Sequence, residues 1–405
     1  MAVGFEWQSS WKIYKSANAP QNEAQQRYFP KNTVLTKGIG WKLVTDGADM
    51  EFVTDPVTLD LKSQVGAAMD GETNLVTTMR SIEYFCSDAN VHRAKTSIDR
   101  TANPHLFRDF PSPFVITPFP ANQTLAAFVQ VSGGLRLSQL RKFFKAIGTQ
   151  DSQISQDFLG TYHAAYSATL RKVHLPKAAY VDTTRPGILP SAKMRSLAEL
   201  IALYMNQFRS KGSGKAKVVK YMTFIMARTD FGKLFSELDP PEVTYYGANP
   251  DAWVRYICVD ILKQITGFDP VHGANPDGRL IEYPINDMDD LPDDRMVNIE
   301  ITRKAWLKGM TRGQDLLTAE VHPTGWKHPL NTKDYLDRFG NHRLRGLGGL
   351  GSTMDTLAMN GLVDNHGAIF EFRGQQANIP FTAWKDYSVR VYRFLQTVNF
   401  GQQNP

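Results

Sequence analysis

Four short apolar runs of this chain carry carboxylates, amides or a guanidinium at alternate positions. In GFEWQ, Glu6 and Gln8 flank Trp7, and in ADMEFVTDP, Asp49, Glu51 and Val53 alternate with Met50, Phe52 and Thr54. In FVQVSGG, Gln130 and Ser132 alternate with Val129 and Val131, and in IFEFRG, Glu371 and Arg373 alternate with Phe370 and Phe372. Side chains at i and i+2 of a strand share a face. Each run therefore predicts a strand that buries its apolar side and gathers polar groups on the other. If one sheet collects the four strands, its polar face holds at least three carboxylates, Glu6, Glu51 and Glu371, together with Arg373. Close like charges repel, so such a face requires cations, protons or basic side chains. Hard divalent cations such as Mg²⁺ take oxygen ligands of this kind and bridge to phosphates. Four unrelated strands, each with a solvated face, are the plainer reading of the same pattern.

The elements that would position these residues are spread along the whole chain. Leu137, Leu140, Phe144 and Ile147 follow helical spacing, as do Leu197, Leu200, Ile201, Tyr204 and Phe208. A last helix carries Trp384, Tyr387, Val391, Phe394 and Leu395 on its inner face. Between the helices lie the strand-like runs VGFEWQ, ADMEFVT, AAFVQVS, VVKYMTFIMA and AIFEFR. Strands scattered among helices predict one α/β or α+β domain over residues 1–405, without an interdomain linker. Loops are expected at 102–120, 183–191, 210–214, 269–294 and the glycine-rich 346–351. The first and fourth are long enough to be insertions that shape a site.

Composition narrows the classes. Of 405 residues, 42% are hydrophobic and 21% charged, which is ordinary for a chain with a sizeable core. The net charge of +6 comes from 46 basic and 40 acidic residues mixed along the chain, which fits an anionic substrate better than nucleic acid. No nucleic acid is expected as a partner. The two cysteines, Cys86 and Cys258, form no spaced motif, so a disulfide framework is excluded. The opening MAVGFEWQSSWKIYK has no apolar leader segment, and no apolar run approaches the length of a membrane span. A cytoplasmic protein is expected, or one delivered by a secretion machine that needs no cleaved signal peptide.

Taken in order, GFEWQ (4–8), WKLVTDGADMEFVTDP (41–56), FVQVSGGLRLSQL (128–140) and IFEFRG (369–374) resemble the motifs of the glutamine synthetase-like carboxylate–amine ligases. The nearest likeness is to their amidoligase and glutamate–cysteine ligase-like branch. The resemblance implies an α+β fold in which helices back a curved, mainly antiparallel sheet with a concave polar face. It implies ATP as cofactor, with Mg²⁺ or Mn²⁺, activation of a carboxylate as an acyl phosphate, and attack by an amine to form an amide. Carried over position by position, Glu6, Gln8, Glu51, Gln130 and Glu371 face the metals, and Arg373 holds phosphoryl oxygens and serves catalysis. Two positions depart from the family: Gln8 replaces the second acid of the E-x-E pair, and Gln130 and Ser132 replace two histidines. An amide offers a carbonyl oxygen to Mg²⁺ but brings no charge. The resemblance is thus compatible with a working ligase on a peptide, protein or small molecule, including a toxin-type effector. The alternative is a repurposed fold that acts as a binding or structural partner in a phage-like or secretion particle.

Further basic candidates lie in KVVKYMTFIMARTDFGKLF, where Lys220 begins an apolar run and Arg228 ends it. Lys220 is a candidate for binding the nucleotide and Arg228 for catalysis, with Asp230 orienting Arg228. The plainer alternative makes Asp230 a helix cap and Arg228 an ordinary ion-pair partner. KGSGKAKVVK does not have the spacing of a phosphate-binding loop, and DMDDLPDDR does not have that of a calcium loop.

Overall fold

The computed structural model describes residues 1–15, 28–59, 70–88, 98–99, 114–117, 124–148, 152–160, 170–171, 174–209, 224–227, 229, 231–266, 279–284, 298–311, 322–324, 368–373 and 378–401. The chain is α+β, with helices and a mainly antiparallel sheet. By its internal contacts it divides into two compact units. The first unit comprises Met1–Gly134, Asp151–His163 and Phe372–Pro405, and the second Leu135–Gln150 and Ala164–Glu371. The division falls inside the strand Ala368–Arg373.

In the first unit the strands are β1 (Ala2–Tyr14), β2 (Val34–Gly38), β3 (Trp41–Asp46), β4 (Asp49–Thr54), β5 (Val57–Thr58), β6 (Ile98–Asp99), β7 (Val115–Thr117) and β8 (Ala126–Leu135). Five of them run antiparallel in the order β2-β3-β4-β1-β8. β5 and β7 pair with the two ends of β1, β6 pairs with β7, and Ile379–Pro380 pairs with Ala126 and Ala127. The β3–β4 hairpin turns on Gly47 and Ala48, and Gly47 has φ of +66°, the left-handed conformation that glycine supplies at the first position of a two-residue loop. Segment 102–120, expected as a loop, contains β7: Val115–Thr117 hydrogen-bonds to Lys12–Tyr14, because β1 runs on well past its polar motif.

One face of this sheet forms the core. Phe5, Trp7, Leu43, Met50, Phe52, Val129 and Val131 alternate with the polar positions and are buried. The helix Trp384–Phe400 covers them: the Trp384 ring stacks on Trp7 at 4.8 Å, and Tyr387 meets Trp7 edge-on at 5.5 Å. The helix Gly71–Asp88 adds Phe85, which packs against Trp41 at 5.2 Å and Phe52 at 6.0 Å. Polar ties lock the C-terminal helix in place. Arg390 grips the buried Asp157 through two nitrogens at 3.0 and 3.1 Å, Tyr392 donates to the Thr58 carbonyl, and Asn399 donates to the Gly134 carbonyl. Trp384, Tyr387, Val391 and Leu395 are buried as the periodicity predicts, and Phe394 is half-buried.

The second unit is mainly helical. The helices Leu140–Ile147 and Ala192–Arg209 bury Leu140, Phe144, Ile147, Leu197, Leu200 and Ile201 on the predicted faces. A π-helical turn, Tyr256–Leu262, follows the helix Pro250–Arg255, and Trp253 packs its ring against Phe235 and Tyr246. Segment 269–294, also expected as a loop, contains the strand Arg279–Pro284, which joins Asn298–Thr302 and His322–Thr324 in a small antiparallel sheet. Of the run VVKYMTFIMA, the described part forms the strand Ile225–Ala227. Loop 183–191 is irregular as predicted, and 210–214 and 346–351 lie outside the described residues.

Candidate functional site

Strand register decides which polar side chains meet. In β1, Glu6 stands opposite Gln130 of β8 on one side and Val53 of β4 on the other. Gln8 stands opposite Phe128 and Glu51. Directly opposite residues of an antiparallel pair point to the same face, with Cβ atoms about 4.5–5.5 Å apart. Adding β3, the face reads as rows across the strands. The first row is Lys42, Val53, Glu6 and Gln130; the second is Val44, Glu51, Gln8 and Phe128; the third is Asp46, Asp49 and Lys12. Glu6, Gln8, Glu51 and Gln130, singled out by alternation alone, are thus neighbours on one face of the first unit.

Local contacts set the charge of this face. The Gln8 Nε2 donates to Asp46 Oδ2 at 2.7 Å. A carboxylate only accepts, so the amide nitrogen must face Asp46, and the Gln8 carbonyl oxygen is left pointing elsewhere. Lys12 pairs with Asp49, and Lys31 pairs with Asp46 at 2.6 Å. The acidic third row is therefore neutralised by the protein's own lysines. Glu51, in contrast to the half-buried Glu6, Gln8 and Gln130, is only 8% exposed. Lys42, half-buried in the first row, enters no ion pair among the described residues. Ser132, two residues beyond Gln130 on the same face, has a buried Oγ with no hydrogen-bond partner among the described residues.

The implied metal can be tested against these residues. Among the described residues, no three or more His, Cys, Asp or Glu side chains are grouped closely enough to hold an ion by themselves. Mg²⁺, however, keeps several waters and is commonly bound by one or two carboxylates plus substrate phosphates. Glu6 and Glu51, with the amide oxygens of Gln8 and Gln130 between and beside them, fit that weaker kind of site and do not fit an all-protein cage.

The other sequence candidates fall as follows. Arg373 ends its strand half-buried in the first unit. Glu371, in the second unit, is fully buried, on a strand whose Ile369 exchanges two hydrogen bonds with Thr229. Lys220, Arg228 and Asp230 lie outside the described residues. Sequence reasoning missed Lys42, Asp46 and Phe128. The signal for the first two was the Gly47-Ala48 turn, since a two-residue hairpin loop at those positions fixes Lys42 opposite Val53 and Asp46 opposite Asp49.

A separate polar cluster in the second unit also escaped the sequence reading. Glu199, fully buried, accepts from Arg141 Nε at 2.9 Å, contacts His174 Nδ1 at 2.7 Å, and lies 3.3 Å from the Tyr180 hydroxyl. Burial and the Glu199 carboxylate push the Tyr180 hydroxyl well above its usual range, and the Arg141 guanidinium, stacked over the Tyr180 ring at 4.6 Å, partly opposes this. Every member has a partner inside the cluster, which reads as a structural tie between the helices Leu140–Ile147 and Ala192–Arg209. Compared with known proteins, the chain matches no family model, no curated protein and no solved structure.

Proposed function

We propose that the polar face of the first unit's sheet binds a nucleoside triphosphate with Mg²⁺, and that the protein is an amidoligase-like carboxylate–amine ligase. The reading is carried by the strand register, which makes Glu6, Gln8, Glu51 and Gln130 neighbours while every alternate residue lines the core. Glu6 and Glu51, helped by the carbonyl oxygens of Gln8 and Gln130, would hold the cation, which when bound neutralises phosphate charge. Lys42 supplies a compact positive charge on the same face, suited to a phosphate oxygen. Arg373 takes its proposed role, gripping phosphoryl oxygens with a planar fork, from the sequence resemblance. The amide product would join a carboxylate to an amine on a peptide, protein or small molecule.

A second reading is favoured by one specific observation. Among the described residues no three His, Cys, Asp or Glu side chains are grouped on the face, where Gln8 occupies a position that is acidic in the family the sequence resembles. The same fold without ligation would serve as a binding or structural partner. ATP consumption and amide formation, assayed with a panel of carboxylates and amines, separate the two. A ligase consumes ATP only when both substrates are present, and loses that activity when Glu6 and Glu51 are changed to Gln. No ATP consumption with any pair, by protein of intact circular dichroism, selects the binding reading.

A further inference from the structure

Phe128 is anomalous in its place. It lies on the polar face of β8, an inner strand paired with β1 on one side and with Ile379–Pro380 on the other. Phe128 is 44% exposed, while its neighbours along the strand, Ala127 and Val129, are buried on the opposite face. No aromatic ring packs against it among the described residues, whereas Trp7, Trp41 and Phe52 of the same sheet each meet another ring. Two amides flank it on the same face: Gln8 directly across the strand pair, and Gln130 two residues along. Phenylalanine fits a pleated surface well, so a cross-strand filler is the simple account of a lone exposed ring. That account leaves unexplained why the filler stands among carboxylates and amides.

Resting on the reading of this face as a nucleotide site, we propose that Phe128 is the platform on which the ligand's base stacks, with Gln8 and Gln130 addressing the base edge. A flat ring face attracts planar heteroaromatic rings, and amides offer both donors and acceptors to their edges. The spacing agrees. Lys42 and Phe128 stand on strands three places apart, about 14 Å at roughly 4.8 Å per strand, on the order of the reach of an extended nucleotide from base to terminal phosphate. The base would therefore lie over β8 and the phosphates toward β3, with Glu6 and Glu51 between. Phe128 makes no contact with the transferred group, so it acts on affinity and base preference.

The test uses the full chain, with adenosine, Mg²⁺–tripolyphosphate and Mg²⁺–ATP titrated separately into wild type, Phe128→Leu and Phe128→Trp. Leu keeps an apolar, strand-compatible side chain without a π face, and melting curves check that each variant folds. Phe128→Leu is expected to weaken adenosine and ATP by roughly 5- to 150-fold, the range of base–aromatic stacking, and to leave tripolyphosphate unchanged. Phe128→Trp should retain binding of all three. Equal adenosine affinity in wild type and Phe128→Leu overturns the inference, as does a parallel loss of tripolyphosphate. If wild type binds tripolyphosphate and not adenosine, the stacking inference fails while the phosphate site stands. If adenosine binds through Phe128 and tripolyphosphate does not bind, the inference holds and the Mg²⁺–triphosphate reading fails. Binding of neither overturns both.

Discussion

Trp7 and Glu6 are adjacent in sequence and opposite in fate, and replacing each with alanine tests the strand parity on which the site depends. Trp7 is fully buried, stacked on Trp384 and meeting Tyr387 edge-on. A buried aromatic of this kind removes about 150–250 Å² from water. At about 25 cal/mol per Å², that is roughly 4–6 kcal/mol as an upper bound. Its indole N–H has no hydrogen-bond partner among the described residues, so a lost hydrogen bond adds nothing to this figure. Trp7→Ala should therefore cost the first unit about 3–5 kcal/mol, in the usual range for large-to-small core changes. Glu6 is half-buried on the other face. Glu6→Ala, a change outside the core, should cost less than about 1 kcal/mol. Urea unfolding of both variants, followed by far-ultraviolet circular dichroism, gives the comparison. A loss below about 1 kcal/mol for Trp7→Ala, or equal losses for the two, would refute the assignment of faces.

Three further outcomes follow from particular contacts. Gln8→Glu removes the donor to Asp46 and sets a like charge beside it, so its melting point should fall without Mg²⁺ and recover when Mg²⁺ is added; a fall that Mg²⁺ leaves unchanged would show that the face does not gather the cation. Burial pushes the Glu237 carboxyl up to about 7 from an ordinary 4.5, with Lys193 opposing, so the stability it allows is full below pH 4.5 and is lost as pH rises through 7. Glu237→Gln should then match wild type at pH 4 and be the more stable at pH 8 in parallel denaturation curves. Arg141→Met leaves the buried Glu199 without its guanidinium and should cost about 3 kcal/mol by urea denaturation, less when Glu199→Gln is added, because the stranded charge is then gone.

Alternation made the face legible and register made it a site. Glu6, Glu51 and Gln130 could be assigned to polar faces because Phe5, Trp7, Phe52 and Val129 alternate with them without interruption. Which of these strands pair, and where, depends on hydrogen bonds between segments far apart in the chain, such as Gln8 with Glu51 and Glu6 with Gln130, and period alone does not fix that. The Gly47-Ala48 turn was the exception, a local signal that places Lys42 opposite Val53 and Asp46 opposite Asp49. β7 was hidden in a proline-rich stretch because three residues are too few to show a period. Phe128 was overlooked for a different reason: its parity with Gln130 puts it on the polar face, but an aromatic in a strand reads as core, and its exposure is what shows otherwise. The cluster around Glu199 joins side chains from three separate segments, and no spacing rule connects them.

The claim that this face binds a nucleoside triphosphate through a divalent cation meets its most direct test in thermal melting with a non-hydrolysable ATP analogue. A ligand that binds only the folded chain stabilises it by about 2.7 kcal/mol at one hundred times its dissociation constant. The wild-type midpoint should rise when analogue and Mg²⁺ are present together and much less with either alone. In the Glu6→Gln, Glu51→Gln double variant the rise should disappear while the ligand-free midpoint stays within a few degrees of wild type. An unchanged wild-type midpoint at millimolar analogue and Mg²⁺, or an equal rise in the double variant, would contradict it.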